Sequence, residues 1–241
     1  MPDDPEITHD TLLRGRVKLL QPREGYRSSL DPVLLAGFLS PPYGVFLDIG
    51  CGTGTLAFLL LARDEAATGV AVEIQPRLAS LAEQGRGANG FEGRLRVVTG
   101  DVCAVGAVDA NAFDLVATNP PFRPIGTGVL PPISEKALAH HEVTLKLAGW
   151  LAVAAHALRP GGRLATIFPF DRWDELQMEL TVRGFSVTRF RQVVPRAGGA
   201  PGRVLVEATK GAFDACEESV LIVHDDAGYT AEVRRMLGEE A

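Results

Sequence analysis

Gly50, Gly52 and Gly54 alternate with single residues in the run Asp48-Ile49-Gly50-Cys51-Gly52-Thr53-Gly54-Thr55. No other stretch of the chain limits its fold as sharply. Val45-Phe46-Leu47 comes before it, an apolar run too short for a helix and readable as a buried strand. Leu56-Ala57-Phe58-Leu59-Leu60-Leu61-Ala62 comes after it, long enough for a helix and rich in good helix formers. The glycines therefore occupy a strand-to-helix turn. They permit a sharp bend and let a ligand approach the bare N–H groups at the helix start. Such a unit predicts an α/β fold.

The spacing departs from the dinucleotide fingerprint G-x-G-x-x-G. The third glycine comes one residue early, and Thr55 stands at the dinucleotide position. The compact Gly50-x-Gly52-x-Gly54 after Asp48 resembles the S-adenosylmethionine (SAM) loop of the class I methyltransferases. A tight turn in an ordinary α/β protein is the other reading at this point, because short glycine motifs recur widely.

Three later strand ends carry residues suited to a nucleoside. Gly69-Val70-Ala71-Val72-Glu73 reads as a second buried strand closed by an acid. An acid there accepts hydrogen bonds from ribose hydroxyls in nucleotide-binding sheets, and its distance past the glycines is near the roughly 20 residues of the dinucleotide case. An exposed strand-end carboxylate is the alternative. Arg94 to Val98 reads as a third strand, followed by Gly100-Asp101-Val102. Asp101 can accept from an adenine amino group while the Val102 N–H donates to a ring nitrogen; an Asx-type turn explains the same residues without a ligand.

The fourth strand, Phe113 to Thr118, runs into Asn119-Pro120-Pro121-Phe122. Two prolines hold a rigid extended turn. It falls at the carboxyl edge of the sheet, where ligands bind in open α/β folds. A planar amino group is a poor nucleophile, because its lone pair is delocalised into the ring. The Asn119 side-chain oxygen and the Pro120 carbonyl can each accept one of its hydrogens, which favours a pyramidal nitrogen. Phe122 offers a flat face on which a base can stack. A structural Pro-Pro turn with Phe122 in the core is the alternative.

Length and composition narrow the class. The chain has 241 residues, 46% hydrophobic and 22% charged, as expected for a globular protein of one α/β domain with additions. We expect a disordered tail over residues 1–10 and a single domain over 11–241 that begins with a strand and helix arm. No apolar run reaches membrane-spanning length, and the acidic, proline-bearing start is not a signal peptide. Cys51, Cys103 and Cys216 make neither a disulfide framework nor a zinc spacing. A cytoplasmic address fits. The net charge of −6 argues against a protein that coats nucleic acid, though a basic patch can sit on an acidic body.

Two basic stretches are candidate patches. Arg14, Arg16, Lys18, Arg23 and Arg27 form an arm that reads either as a solvated edge strand or as a phosphate-contacting element. Arg189, Arg191, Arg196 and Arg203 lie on an expected hairpin with no acid among them, the best candidate for an RNA-facing surface. Asp31 reads as the N-cap of a helix with Pro32 at its first position. The polar lead-in before it could instead fold over a cofactor. His140-His141-Glu142 reads as a polar helix start, and no metal site is expected.

Together, the ordered set Asp48-x-Gly50-x-Gly52-x-Gly54, Glu73, Asp101 and Asn119-Pro120-Pro121-Phe122 resembles class I SAM-dependent methyltransferases acting on exocyclic or amide nitrogens. Leu19-Leu20-Gln21-Pro22, Gly25-Tyr26-Arg27-x-Ser29-Leu30-Asp31 and the ending Leu221 to Asp226 are similar to one subgroup, the bacterial tRNA adenine-N6 methyltransferases that act on a valine tRNA. The resemblance implies a Rossmann-like, seven-stranded, mostly parallel sheet with helices on both faces and a C-terminal antiparallel hairpin. It implies SAM as cofactor and tRNA as partner. Protein glutamine-N5 and rRNA guanine-N2 methylation are the nearest alternatives. An NAD-dependent oxidoreductase, opposed by the early third glycine, and an inactive SAM-binding scaffold are the alternatives of other classes.

Overall fold

The computed structural model describes residues 6–104, 106–120, 146–211 and 215–239. Its frame is one large sheet. At the centre is β3 (Val45–Ile49), with β4 (Thr68–Glu73) and then β5 (Leu95–Thr99) in parallel on one side. On the other side lie β6 (Phe113–Thr118) and β7 (Leu158–Pro169), also parallel. The chain thus moves outward from β3 in one direction, then returns to its other flank. That reversal is a topological switch point, and it opens a crevice at the carboxyl ends of β3 and β6.

Beyond β7 the sheet changes direction. β9 (Arg203–Lys210) is antiparallel to both β7 and β8 (Phe185–Arg196), so the expected hairpin is present and its second strand inserts inside the first. These seven strands are the sheet that the resemblance implies. Three short strands extend it. β11 (Leu221–Asp225) and β10 (Cys216–Glu217) run parallel to β8, and β12 (Gly228–Tyr229) pairs back on β11.

Helices cover both faces because successive side chains of a strand point to opposite sides. Phe46 of β3 joins a core with α1 (Asp31–Phe38), α2 (Thr55–Arg63) and the C-terminal α6 (Ala231–Met236). Its neighbours Leu47 and Ile49 join another core with α4 (Leu147–Ala157) and α5 (Trp173–Val182). Between β4 and β5, α3 (Pro76–Ala88) makes the remaining crossover.

The N-terminus differs from its expected form. β1 (Ile7–Leu12) and β2 (Val17–Pro22) form a separate antiparallel hairpin, so residues 7–10 belong to a strand and not to a tail. Gln21 and Pro22 close β2. The arm is stitched to the body. Arg16 donates to the Ala62 carbonyl at 2.9 Å, and Asn89 exchanges hydrogen bonds with the Lys18 backbone at 2.8 and 2.7 Å.

Candidate active site

The glycine turn sits where the sequence puts it, between β3 and α2. Gly50, Gly52 and Gly54 have φ of +69°, +57° and +85°, a region that side-chain-bearing residues enter at a cost. The Gly50 and Cys51 N–H groups donate to the Val72 carbonyl, which fastens the turn to β4. Gly54 is the N-cap of α2 and has no side chain to satisfy the helix. Asp48 does this from the strand: its Oδ2 accepts from the Ala57 N–H at 3.1 Å.

Two acids are buried beside the turn. Asp48 is 1% exposed, and burial pushes its pKa up to about 7; the Ala57 N–H opposes the shift and the Glu73 charge adds to it. Glu73 stands at the end of β4. Its Oε2 accepts from the Gly52 N–H and its Oε1 from the Gln75 N–H, both at 2.9 Å. Burial raises the Glu73 pKa, while the N–H groups of Gln75, Gly52 and Ile74 pull it back. Each carboxylate oxygen keeps a further lone pair, which a ribose hydroxyl could use.

Asp101 follows β5 and is exposed. Its Oδ1 accepts from the Cys103 N–H at 2.9 Å, so the Asx-type turn forms and leaves the other oxygen for a further donor. Val102, beside it, is buried. Asn119 follows β6, which is tied to β3 by the Thr118 hydroxyl on the Ile49 carbonyl at 2.8 Å. Pro120 is buried next to it. Phe122 and the His140-His141-Glu142 stretch lie outside the described residues.

Asn119 borders the same crevice as Asp48, Gly50 and Thr55. Its Oδ1 is buried and has no hydrogen-bond partner among the described residues. The Thr55 and Ser28 hydroxyls on this crevice are orphaned in the same way. Buried polar atoms are rarely left unpaired, and a cluster of them asks for a polar ligand. Two buried carboxylates alongside favour a cation, as SAM is. The turn is closely covered here: a Cβ at Gly52 would lie 2.9 Å from the Tyr26 ring.

Tyr26 and Ser28 were not expected as site residues. They come from the lead-in to α1, which folds over the turn, and only their polar character marked them in advance. Asp31 is the first residue of α1 and makes no cap; its carboxylate accepts from Arg203 Nε at 3.2 Å.

The arginine hairpin is the main correction. Arg189 bonds to Glu207 and Glu218, and its guanidinium lies 4.1 Å from the Phe38 ring centroid. Arg191 is 6% exposed and grips Glu232 through two bonds of 2.6 and 2.9 Å. With Arg203 on Asp31, three of the four arginines are neutralised by acids remote in sequence; Arg196 is exposed. On the N-terminal arm, Arg27 pairs with Asp10 at 2.7 Å. Among the described residues, no group of three or more His, Cys, Asp or Glu could hold a metal, and no helix is long and apolar enough to cross a membrane.

The chain is similar to the tRNA1(Val) (adenine(37)-N6)-methyltransferase of Porphyromonas gingivalis, at 32% identity over 76% of this chain and 73% of the relative. The enzyme of the same name from Tolumonas auensis is 30% identical over 88% of each. Among solved structures, a predicted O-methyltransferase from Agrobacterium tumefaciens shares the fold with a TM-score of 0.70, at 23% identity over 88% of this chain and 97% of that one. The family model described as methyltransferase small domain matches residues 31–171. Because that span runs from the first residue of α1 past the end of β7, and holds every described residue expected to bind or react, the chain belongs to the methyltransferase small domain family and draws its methyl group from SAM.

Proposed function

We propose that this protein methylates the exocyclic N6 of an adenine in tRNA, in a cytoplasmic setting. The single observation that carries the nitrogen chemistry is the Asn119 Oδ1, buried and without a hydrogen-bond partner among the described residues, on the crevice that the glycine turn also lines. The tRNA acceptor is supported by the names of the relatives of about 30% identity.

In this reading SAM, when bound, supplies an electrophilic methyl carbon. Glu73 holds the ribose hydroxyls, Asp101 and the Val102 N–H take the adenine edge, and the glycine turn of Gly50, Gly52 and Gly54, backed by Asp48, carries the rest. Asn119 Oδ1 and the Pro120 carbonyl each accept one hydrogen of the substrate amine. Both acceptors strengthen as the nitrogen gains positive charge, which is where oriented dipoles lower a barrier most. No strong base is needed, since the proton becomes acidic once the nitrogen is alkylated. Phe122 would stack the target base, which must leave its own stack in structured RNA.

Asn119→Ala is expected to lower turnover by roughly 10²–10³ while SAM affinity stays unchanged. Undiminished turnover would remove Asn119 from the reaction. A radiolabelled methyl assay on separate tRNA, rRNA and protein fractions, followed by mass spectrometry of the nucleosides, identifies the acceptor. Label on protein alone would favour glutamine-N5 methylation, and label on rRNA guanine would favour N2 methylation. Binding of NADH without SAM would move the chain to the oxidoreductases.

A further inference from the structure

Thr118 ends an apolar strand with a hydroxyl, and the residue is 0% exposed. A buried hydroxyl left without a partner costs free energy, so where this one bonds matters. Its Oγ1 donates to the Ile49 carbonyl at 2.8 Å. That bond joins the two walls of the crevice. Ile49 is the last residue of β3 and precedes Gly50 of the glycine turn. Thr118 is the last residue of β6 and precedes Asn119.

The backbone ladder stops just short of this level. The paired positions of β3 and β6 run Phe46 with Leu115, Leu47 with Val116 and Asp48 with Ala117, and end there. One residue further, each strand pairs only on its other side: Ile49 with Val72 of β4, and Thr118 with Thr166 of β7. The two central strands thus cease to pair at the switch point, and the Thr118 side chain spans the opening. Both ends of the span are stiff. On the Ile49 side, the Gly50 and Cys51 N–H groups donate to the Val72 carbonyl at 2.9 and 3.1 Å. On the Thr118 side, Pro120 confines Asn119 to extended backbone. A displacement of Thr118 is therefore passed on to the Asn119 amide, whose Oδ1 has no partner of its own among the described residues.

We propose that Thr118 is a positioning residue for methyl transfer, setting Asn119 against the glycine turn through its bond to Ile49. The proposal rests on Asn119 holding the substrate amine. In-line transfer needs reacting atoms roughly 3–3.5 Å apart, and a misplacement of about 1 Å costs on the order of 10²-fold. The cofactor wall is fastened to β4 and the amine wall to β7. Losing the span shifts one wall against the other and leaves each intact. Thr166 makes the contrast: equally buried, it gives its hydroxyl to the carbonyl of its own neighbour Ile167 at 3.2 Å and joins nothing across the crevice.

Steady-state methylation of tRNA from a strain lacking the gene for this chain, with calorimetric titration of SAM, tests this. Thr118→Val keeps the volume and removes the hydroxyl. Its kcat should fall by roughly 10–100-fold, with SAM affinity and the KM for tRNA within about twofold of wild type. Thr118→Ser should restore kcat, and Thr166→Val should leave it within about twofold. In an Asn119→Ala background, Thr118→Val should lower kcat no further, because it acts through the residue already lost. Should Thr118→Val misfold, Thr118→Ser against Thr118→Ala makes the same comparison with the methyl absent from both. An unchanged kcat in Thr118→Val would overturn the role. So would equal losses in Thr118→Val and Thr166→Val, SAM affinity that falls in step with kcat, or losses that multiply in the double variant. Wild type that binds SAM and labels no tRNA would overturn the proposed reaction, and the part of Thr118 in it. Wild type that labels tRNA no faster than Thr118→Val would remove Thr118 alone.

Discussion

Replacing Gly52 by alanine loads two costs onto one atom. The first is conformational: φ is +57°, and the left-handed region costs an L-residue roughly 1–2 kcal/mol. The second is contact. The new Cβ would stand 2.9 Å from Tyr26 Cε1, about 0.5 Å inside the 3.4 Å at which ordinary contact begins. Tyr26 cannot simply swing out, because Gln21 holds the Ser28 N–H and Arg203 holds Asp31 just beyond it. Overpacking of this kind costs roughly 1–3 kcal/mol, and the lower half applies because the ring is only half-buried. The sum is about 2–4 kcal/mol. Urea denaturation of wild type, Gly52→Ala, Tyr26→Ala and the double variant separates the parts. In the Tyr26→Ala background the contact vanishes, and only the conformational cost of about 1–2 kcal/mol should remain. SAM affinity should fall in Gly52→Ala, since the displaced Tyr26 ring lines the same crevice as Asp48 and Gly50. If the two substitutions are additive, the ring does not lie on the turn and the reasoning fails.

Three further outcomes follow from the same geometry. Asp48 has a folded pKa of about 7 against an ordinary 3.8, so its stabilising protonation is complete below about pH 4 and lost as pH rises through 7; Asp48→Asn should flatten that fall in urea midpoints between pH 5 and pH 8. A cationic ligand favours the ionised carboxylate, so SAM binding at pH 7 should release protons; calorimetric enthalpies identical in two buffers of different ionisation heat would contradict this. Arg191→Met should cost roughly 1–3 kcal/mol by breaking the paired bonds to Glu232, with tRNA affinity intact; a loss of tRNA binding without a loss of stability would put Arg191 back on an RNA-facing surface.

Local chemistry made much of this molecule legible in one dimension. A buried strand is a short apolar run, and a turn with three positive φ values needs glycine, so the β3–turn–α2 unit can be read from Val45 to Ala62 alone. Strand ends that carry Glu73, Asp101 and Asn119 recur in order, and the parallel sheet brings such ends to one edge. Charge is different. Arg189, Arg191 and Arg203 look uncompensated because Glu218, Glu232 and Asp31 lie between 29 and 172 positions away. Coulomb attraction acts through space, so only the packed chain decides which of them face solvent. The capping role expected of Asp31 gave way for the same reason: Arg203, brought in by β9, competes for its carboxylate.

The glycine spacing and the acids at strand ends therefore determine the fold class and one wall of the crevice, because backbone geometry depends on near neighbours in the chain. The opposite wall is a tertiary product. Tyr26 and Ser28 reach the glycine turn only after the β1–β2 hairpin and β9 pin their segment from both sides, and contacts across such distances in sequence leave no periodicity or spacing to read.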